Sequence, residues 1–226
     1  MTIDCHVHTR RSHDSLMTPA RILATAKARG LDGIVVCDHD TIRGGVEVRE
    51  ANDDPAFTVI VGAEIATDAG DVTGIFLTRE VVARRFADVA REIRGQGGKV
   101  ILNHPYRGHD LSLVDFSLVD FVEAGNGRVS ERDNGRALEL ARRHGLPVVA
   151  GSDAHLYAEI GNGRTEVADL GSFTVTGCSC SLARKRYVTL SQYVKAVKRG
   201  SVRVFVAATI VHVKYVVRRI LAGGKG

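Results

Sequence analysis

The feature that most constrains the fold is a regular alternation of short apolar runs with segments of helical period. Seven runs predict strands, at 3–7, 33–37, 57–62, 71–77, 99–102, 118–122 and 147–150. Helices are predicted between them at 19–29, 80–94 and 130–144, with Thr18 and Pro19 opening the first and Gly145 closing the third. This alternation predicts a mostly parallel sheet wrapped by helices.

Length and hydropathy favour one globular domain. A chain of 226 residues that is 44% hydrophobic and 25% charged can bury one substantial core, and α/β barrels of this size are single domains. The sequence contains no uninterrupted apolar stretch of the roughly 18 residues that a membrane span requires. It also opens on polar residues, without the apolar run of a signal peptide. We therefore expect a soluble, cytoplasmic protein.

Charge is distributed unevenly along the chain. The net charge is +5, yet no Asp or Glu follows Asp169, and 11 Lys and Arg residues lie between Arg184 and Lys225. Residues 1–169 therefore contain 20 basic and 26 acidic side chains, a net charge of −6. The acidic part can attract cations, and the basic part can face a phosphate-bearing partner or form a solvated surface.

The last segment does not follow the alternation. Residues 201–221 mix strand-like and helix-like patterns, and their β-branched content leaves both structures open. A basic amphipathic helix near 210–221 is one reading of this pattern. Such a helix could lie on a membrane surface or pack across the barrel.

Side chains that bind metals stand at the carboxyl end of nearly every predicted strand. They are His6 and His8 in "HVH", His39 in "DHD", Glu64 in "GAE", His104 in "NHP", Glu123 in "VEAGN", and Asp153 and His155 in "SDAH". A barrel brings its strand ends to one mouth, where several charged groups buried without partners would cost several kcal/mol each. Bound cations remove that cost. Imidazoles and carboxylates without thiolates suit Zn, Mn or Fe.

In order, the motifs "HVHTRRSHD", "CDHDT", "GAE", "NHP", "VEAGNGR" and "GSDAH" closely resemble those of the PHP family, the polymerase and histidinol phosphatase domains. The resemblance covers about residues 1–165, and residues 166–226 are interpreted as a basic C-terminal extension packing on the same domain. It implies a distorted (β/α)7 barrel, in a single domain of the α/β class. It also implies a site for two or three divalent metal ions at the carboxyl ends of the strands.

The resemblance further implies a ligand set for each metal. His6, His8, Glu64 and Asp153 would surround the first metal, with Glu64 bridging to a second metal that is also held by His104 and Glu123. Asp14, His39 and His155 would hold the third, with His13 as a competitor of Asp14.

The chemistry expected of such a site is hydrolysis of a phosphate ester by a metal-bridging hydroxide. Glu64, Asp153 and His155 are the predicted catalytic residues. The proton for the leaving group could come from Asp153, His155, His39 or a water on the third metal. Arginines near the strand ends could hold the phosphate: Arg10, Arg11, Arg43, Arg107 and Arg128, of which Arg11 and Arg128 are preferred. The substrate is expected to be a phosphorylated small molecule, a nucleotide or a nucleic-acid end, and the basic tail favours the last two.

A second function fits the same motifs. The cations could stabilise a non-catalytic barrel that binds nucleic acid or a larger enzyme. All nine expected ligand positions contain residues able to bind metal, which favours catalysis.

Overall fold

A nine-stranded sheet, curved into a nearly closed barrel, forms the centre of the molecule. The computed structural model describes residues 1–221, and the side chains of the last helix as far as Val217. The strands are β1 (Thr2–Val7), β2 (Gly33–His39), β3 (Thr58–Thr67), β4 (Gly70–Ile75), β5 (Lys99–Leu102), β6 (Phe121–Asn126), β7 (Val148–Gly151), β8 (Gly163–Asp169) and β9 (Thr174–Cys180). The helices are α1 (Pro19–Ala28), α2 (Arg43–Glu50), α3 (Phe86–Arg94), α4 (Glu131–His144), α5 (Lys185–Lys198) and α6 (Val202–Leu221).

The strand order, β7-β6-β5-β4-β3-β2-β1-β8-β9, explains how the barrel closes. The carboxyl end of β1 meets the segment after β7 through a parallel bridge between Val7 and Ala154. The amino end of β1 pairs instead with β8, so the β8–β9 hairpin lies between β1 and β7 at that end of the barrel. The predicted distorted (β/α)7 barrel, formed by β1 to β7, is confirmed.

The strand directions correct one expectation. Four of the eight strand pairings in the described part are antiparallel, so the sheet is mixed and the prediction of a mostly parallel one is wrong. The cause is the tight turn between Thr67 and Gly70, because a two-residue connection can only reverse the chain. As a result, β4 begins at the mouth, where its antiparallel neighbours β3 and β5 end.

Both faces of the barrel strands are buried, as expected for strands covered by helices. Alternate residues such as Cys5, Val35 and Ile60 fill the interior, and Phe173 from the β8–β9 turn packs edge-on against Phe121. The residues between them face outward against α1 and α2 on one side and α3 and α4 on the other. The core therefore fixes the strand ends from both sides.

Helix boundaries follow local chemistry where a cap exists. Ser130 accepts a hydrogen bond from the Asp133 amide at the start of α4, and Gly145 ends that helix at a φ of +64°. Helix α3 begins at Phe86 instead of residue 80, because 80–85 form a loop. Strand β6 begins at Phe121 instead of 118, since a 3-10 turn occupies Phe116–Leu118. Helix α2 and the β8–β9 hairpin were not predicted.

The predicted C-terminal extension begins within the β8–β9 hairpin and continues from Lys185 as a hairpin of two helices, α5 and α6. The Nζ atom of Lys198 in α5 donates to the carbonyl oxygens of Arg10 (2.6 Å) and Ser15 (3.1 Å), which ties the helix to the β1–α1 loop. Helix α6 packs along α5, where the Tyr193 and Phe205 rings meet at 5.3 Å. Lys225, part of the predicted basic extension, lies outside the described residues. Within residues 1–221, none of the helices combines the length and apolarity needed to cross a bilayer.

The β1–α1 loop is held in place by one buried carboxylate. Asp38 at the end of β2 accepts hydrogen bonds from the amide (2.7 Å) and hydroxyl (2.7 Å) of Thr9 and from the amide (3.1 Å) and hydroxyl (2.6 Å) of Ser12. Burial raises the pKa of Asp38, and these four donors oppose that shift. Asp38 thus orients the loop that follows the two histidines of β1.

We predict that Asp38→Ala lowers the free energy of unfolding by about 2–4 kcal/mol, because it leaves buried donors of the loop unpaired. Urea denaturation followed by circular dichroism measures the change. The matched control is Asp53→Ala, on an exposed residue, which should shift stability by less than about 0.5 kcal/mol. Equal stability of Asp38→Ala and wild type would contradict a structural role for this network.

Candidate metal centre

The barrel brings all nine of the predicted ligand residues to its mouth. Eight of them are buried, namely His6, His8, Asp14, Glu64, His104, Glu123, Asp153 and His155, and His39 is half-buried. They come from the ends of β1, β2, β3, β5, β6 and β7, and from the β1–α1 loop. The fold therefore concentrates imidazoles and carboxylates where water is largely excluded.

Four of these side chains direct one atom each toward a common point. The Nε2 atoms of His6 and His8 lie 3.1 Å apart, and each is 3.5 Å from Oε2 of Glu64. The Asp153 Oδ1 atom lies 3.4 Å from His8 Nε2 and 3.9 Å from His6 Nε2. Ligands about 2 Å from one Zn ion stand at such mutual separations.

The hydrogen bonds behind the two histidines indicate which ring nitrogens have the protons. His6 Nδ1 faces Oε1 of Glu123 at 2.9 Å, so it must donate a proton to that carboxylate. His8 Nδ1 faces the Ser12 hydroxyl at 3.0 Å, and that hydroxyl already donates its own proton to Asp38. In the neutral rings both Nε2 atoms then present lone pairs to each other, which a cation between them would stabilise.

A second group of ligands forms around Asp14. Its Oδ1 atom lies 3.1 Å from His155 Nε2, and its Oδ2 atom lies 3.4 Å from His39 Nε2. His13 reaches the same oxygen through Nε2, also at 3.4 Å. The rings of His8 and His155 have centroids 4.1 Å apart, so this group borders the first one. Asp14, His39 and either His155 or His13 could share one cation.

A third group uses the other oxygen of the central carboxylate. Glu64 Oε1 lies 3.1 Å from His104 Nε2 and accepts a hydrogen bond of 3.0 Å from the Asn103 side chain. Asp71, at the start of β4, belongs to the same group. Glu64, Asp71 and His104 each offer one oxygen or nitrogen atom able to bind a metal, and these three atoms lie within 4.8 Å of one another. Glu64 therefore lies between two groups, as a bridging carboxylate does.

Asp71 was missed by the sequence analysis. The strand predicted at 71–77 belonged to a sheet expected to be mostly parallel, and a parallel strand would place Asp71 at the opposite end of the barrel. In the structure β3 continues to Thr67, well past the predicted end at residue 62, so only two residues separate it from β4. A turn as short as residues 68–69 requires an antiparallel hairpin, and this pairing places Asp71 opposite Ala66, beyond Glu64.

Glu123 lies behind the first group in this structure. Its Oε1 atom accepts from His6 Nδ1, while Oε2 accepts from the His104 amide (3.1 Å) and the Asn126 side chain (2.9 Å). Position 151, at the end of the neighbouring strand β7, must be glycine, since a Cβ there would lie 2.3 Å from His6 Cβ and 2.7 Å from Glu123 Oε1. This geometry is that of a carboxylate that orients a ligand histidine.

Two residues of the site have a left-handed backbone. The φ angle of His104 is +23° and that of Asp153 is +53°, in a region that residues other than glycine rarely adopt. Such strain persists only where surrounding contacts enforce it, and it is concentrated at functional sites. Both residues line the cavity at the mouth.

Mutual interaction shifts the ionisation of the cluster strongly. Burial lowers the pKa of His8 to about 3, with the neighbouring His155 adding to the effect. Burial would also lower the pKa of His39, but Glu64 and Asp14 raise it to about 9. Although burial opposes it, the surrounding imidazoles hold the pKa of Glu64 well below its usual value, as they do for Asp153. The carboxylates of Glu64 and Asp153 are therefore charged and ready to bind cations at neutral pH.

The cavity over this cluster has a volume of about 120 Å³ and a basic rim. Arg107 donates from Nη1 to Asp153 Oδ2 at 2.9 Å, and Gln192 and Lys195 of α5 form part of the wall. Neither of these α5 residues was predicted, since only the folded chain shows that α5 lies over the mouth.

The two preferred arginines occupy different environments. Arg128 lines the cavity, but its guanidinium is buried and donates to both oxygens of Glu159 (3.0 and 2.9 Å) and to the Ser191 hydroxyl (3.0 Å). Arg11 pairs with Glu47 on the surface, with its Nε 2.7 Å from Oε1, and lines another depression. Their roles in substrate binding stay predictions.

Comparison with known proteins agrees with this geometry. The family model "PHP domain" matches residues 4–113, and the model "PHP-associated" matches residues 131–176. The chain belongs to the PHP family. Two uncharacterised proteins from Methanocaldococcus jannaschii are similar to it. One is 35% identical over 56% of this chain and 82% of the relative, and the other is 30% identical over 75% and 72%.

A solved structure supports the PHP fold. The crystal structure of a two-domain protein from Bacteroides vulgatus, containing a predicted PHP-like metal-dependent phosphoesterase, matches with a TM-score of 0.63 at 22% identity. The match covers 74% of this chain and 58% of that one, so the chain spans less than two thirds of that protein. The likeness is one of fold.

We predict that metal affinity rises with pH, because His39 must lose a proton before its nitrogen can bind a cation. With a pKa of about 9 in the metal-free protein, His39 is protonated at pH 7. Because binding releases this proton, the association constant for the metal should rise about tenfold per pH unit up to about pH 8. Above about pH 9 His39 is already neutral, so this rise should end. Chelator competition across this range measures the slope.

His39→Asn should reduce that slope by the equivalent of one proton. The matched control is His144→Asn, on a histidine at the end of α4 that stacks on Phe116 away from the site. It should leave the slope unchanged. An identical slope in wild type and His39→Asn would contradict the proton release.

Proposed function

We propose that the protein is a metal-dependent phosphoesterase that hydrolyses a terminal phosphate ester. The substrate class is a phosphorylated small molecule, a nucleotide or a nucleic-acid end. The observation on which this proposal rests is the position of Glu64, whose two oxygens face two separate groups of ligand atoms at 3.1–3.5 Å. Sites that hold two cations across one carboxylate suit phosphate esters, because both the attacking and the leaving oxygen need stabilisation.

The residues divide into three ligand groups around two or three divalent cations, Zn, Mn or Fe. His6, His8, Glu64 and Asp153 would hold the first; Glu64, His104 and Asp71 the second; and Asp14, His39 and His155 the third. In this assignment Glu123 positions His6 and does not itself bind the second cation. Bound cations would supply Lewis acidity and lower the pKa of coordinated water from about 16 to about 7.

The remaining groups of the site have roles in binding and proton transfer. Lys195 and Arg107, at the rim, would bind the phosphoryl oxygens, and the Gln192 amide can donate a further hydrogen bond. His155 donates from Nδ1 to the Asp153 carbonyl at 2.8 Å, which fixes its tautomer and directs Nε2 into the site. His155 could deliver a proton from Nε2 to the leaving oxygen only where the third group holds no cation. Asp153, whose pKa lies well below its usual value, is ionised and has no proton to give.

The size of the cavity favours a terminal phosphate. Its volume of about 120 Å³ is well below the roughly 300–1,000 Å³ of pockets that enclose whole ligands. The phosphoryl group would fit inside while the rest of the substrate extends outward past α5. The basic surface of residues 184–199 on that side suits a nucleotide or nucleic-acid end.

A substrate panel tests this proposal. Protein reconstituted with Mn or Zn should release phosphate from at least one class among sugar phosphates, nucleotides and short 5′- or 3′-phosphorylated oligonucleotides. EDTA should abolish the release and added metal should restore it. Metal content is measured in the same samples. Metal-replete protein that releases no phosphate yet binds RNA or DNA would favour the non-catalytic binding module.

We predict that Glu64→Gln impairs turnover more than His104→Ala, because Glu64 contacts two ligand groups and His104 only one. The expected loss in kcat/KM is at least about tenfold greater for Glu64→Gln. Glu50→Gln, at an exposed position of α2, is the control and should match wild type. Equal residual rates in the two site variants would count against Glu64 as the bridge.

We predict that Lys195→Ala raises KM about tenfold and changes kcat much less, since the ammonium would bind the phosphate in both the ground and transition states. Steady-state kinetics with the best substrate of the panel measures both constants. Lys185→Ala removes the same charge from the exposed start of α5 and should leave KM within about twofold. An unchanged KM in Lys195→Ala would exclude this residue from the binding site.

A further inference from the structure

Helix α6 presents an apolar face that the rest of the described chain leaves uncovered. Its side chains are 38–76% exposed: Val202, Phe205, Val206, Ile210, Val213, Val216 and Val217. At 100° per residue they fall on one side of the helix. Away from this side lie the buried Ala208 and the half-buried Val204 and Tyr215, together with Val211, which is 58% exposed and not part of the stripe. Phe205, at one edge of the stripe, also contacts Tyr193 of α5. The exposed apolar face is therefore a stripe a little over four turns long.

The charges next to this stripe have one sign. Arg203 and Lys214, both exposed, lie along one edge of the stripe, about two turns before and one turn after Ile210. No Asp or Glu occurs after Asp169, so neither α5 nor α6 contains a neutralising partner. The face thus combines apolar side chains with a purely basic border, the arrangement of helices that lie in the interface of an anionic membrane.

A cavity at the α5–α6 turn supports a lipid as the occupant. It has a volume of about 210 Å³ and a mainly apolar lining: Ala196, Val197, Gly200, Ser201, Val202 and Phe205. Val202 and Phe205 also belong to the exposed stripe, so the cavity adjoins it. An acyl chain could enter such a recess. A second copy of the chain would instead bring two basic borders together, at an electrostatic cost.

We propose that the exposed face of α6 docks the protein on an anionic lipid surface, with the helix lying in the plane of the interface. This proposal concerns membrane binding and does not depend on the proposed hydrolysis. It places the apolar stripe among the upper acyl chains and the basic border among the lipid headgroups.

Vesicle co-sedimentation of the full, metal-loaded chain tests the proposal. Binding should be at least tenfold stronger to vesicles of phosphatidylcholine with phosphatidylglycerol than to phosphatidylcholine alone. It should weaken at about 1 M salt, where the Debye length is about 3 Å. Equal binding to both vesicle types, or no binding to either, would overturn the proposal.

Paired variants locate the contact. Ile210→Asp, in the middle of the stripe, should reduce binding at least tenfold, and so should the double variant Arg203→Glu, Lys214→Glu. The control Val82→Asp changes an equally apolar residue that is 77% exposed in the loop before α3, and should bind like wild type. Retained binding in Ile210→Asp would place the contact elsewhere and overturn the assignment.

Sedimentation velocity without lipid addresses the rival occupant. The proposal predicts a monomer under conditions where vesicle binding is observed. A dimer that Ile210→Asp dissociates, together with absent vesicle binding, would show that the face joins two copies. Thermal unfolding of each variant verifies folding, because the substituted side chains are exposed and should not shift Tm.

Discussion

The structure depends above all on the burial of ionisable side chains at one point. Eight imidazole and carboxylate side chains are at most 4% exposed, and neighbouring ring nitrogens and carboxylate oxygens among them lie 2.9–3.9 Å apart. They are His6, His8, Asp14, Glu64, His104, Glu123, Asp153 and His155. Without cations, such a group can stay buried only if some of its imidazoles are protonated to balance the carboxylates while others stay neutral. This explains why the pKa of His8 is lowered while that of His39 is raised. Metal binding, as proposed, would replace those protons and stabilise the mouth of the barrel.

The arrangement needs an outer layer of hydrogen bonds to direct each ligand atom. Glu123 orients His6, Ser12 orients His8, and Asp38 in turn fixes Ser12. Arg128 has a comparable role on the other side, because its partner Glu159 also accepts from the amide of His155 at 3.0 Å. Its third contact, with Ser191, links that loop to α5. Arg128 was predicted to bind substrate, but its contacts in this structure are those of a residue that positions the wall of the cavity.

Much of the fold and of the metal-binding set could be predicted because both depend on local patterns. Apolar runs mark strands, and the residue after each run falls at the mouth whatever the exact packing; His104 and Asp153 were located in this way. Asp71 was not predicted because its position depends on the direction of β4, which a single short turn reverses. Lys195 was not predicted because it belongs to a helix that is distant in sequence from the strand ends and packs over the mouth only in the folded chain. For Arg11, only the folded structure shows that its guanidinium turns toward Glu47.

The C-terminal hairpin connects the proposed site to the proposed lipid surface. Helix α5 forms the cavity wall through Gln192 and Lys195, while Lys198 ties it to the β1–α1 loop that contains Asp14. Helix α6 packs on the far side of α5 and directs its apolar stripe outward. Any force that docks α6 would thus act on a helix in direct contact with both the ligand loop and the substrate cavity. If both proposals hold, lipid binding should alter KM through Lys195 more than kcat, because the hairpin borders the phosphate position and contributes none of the proposed metal ligands.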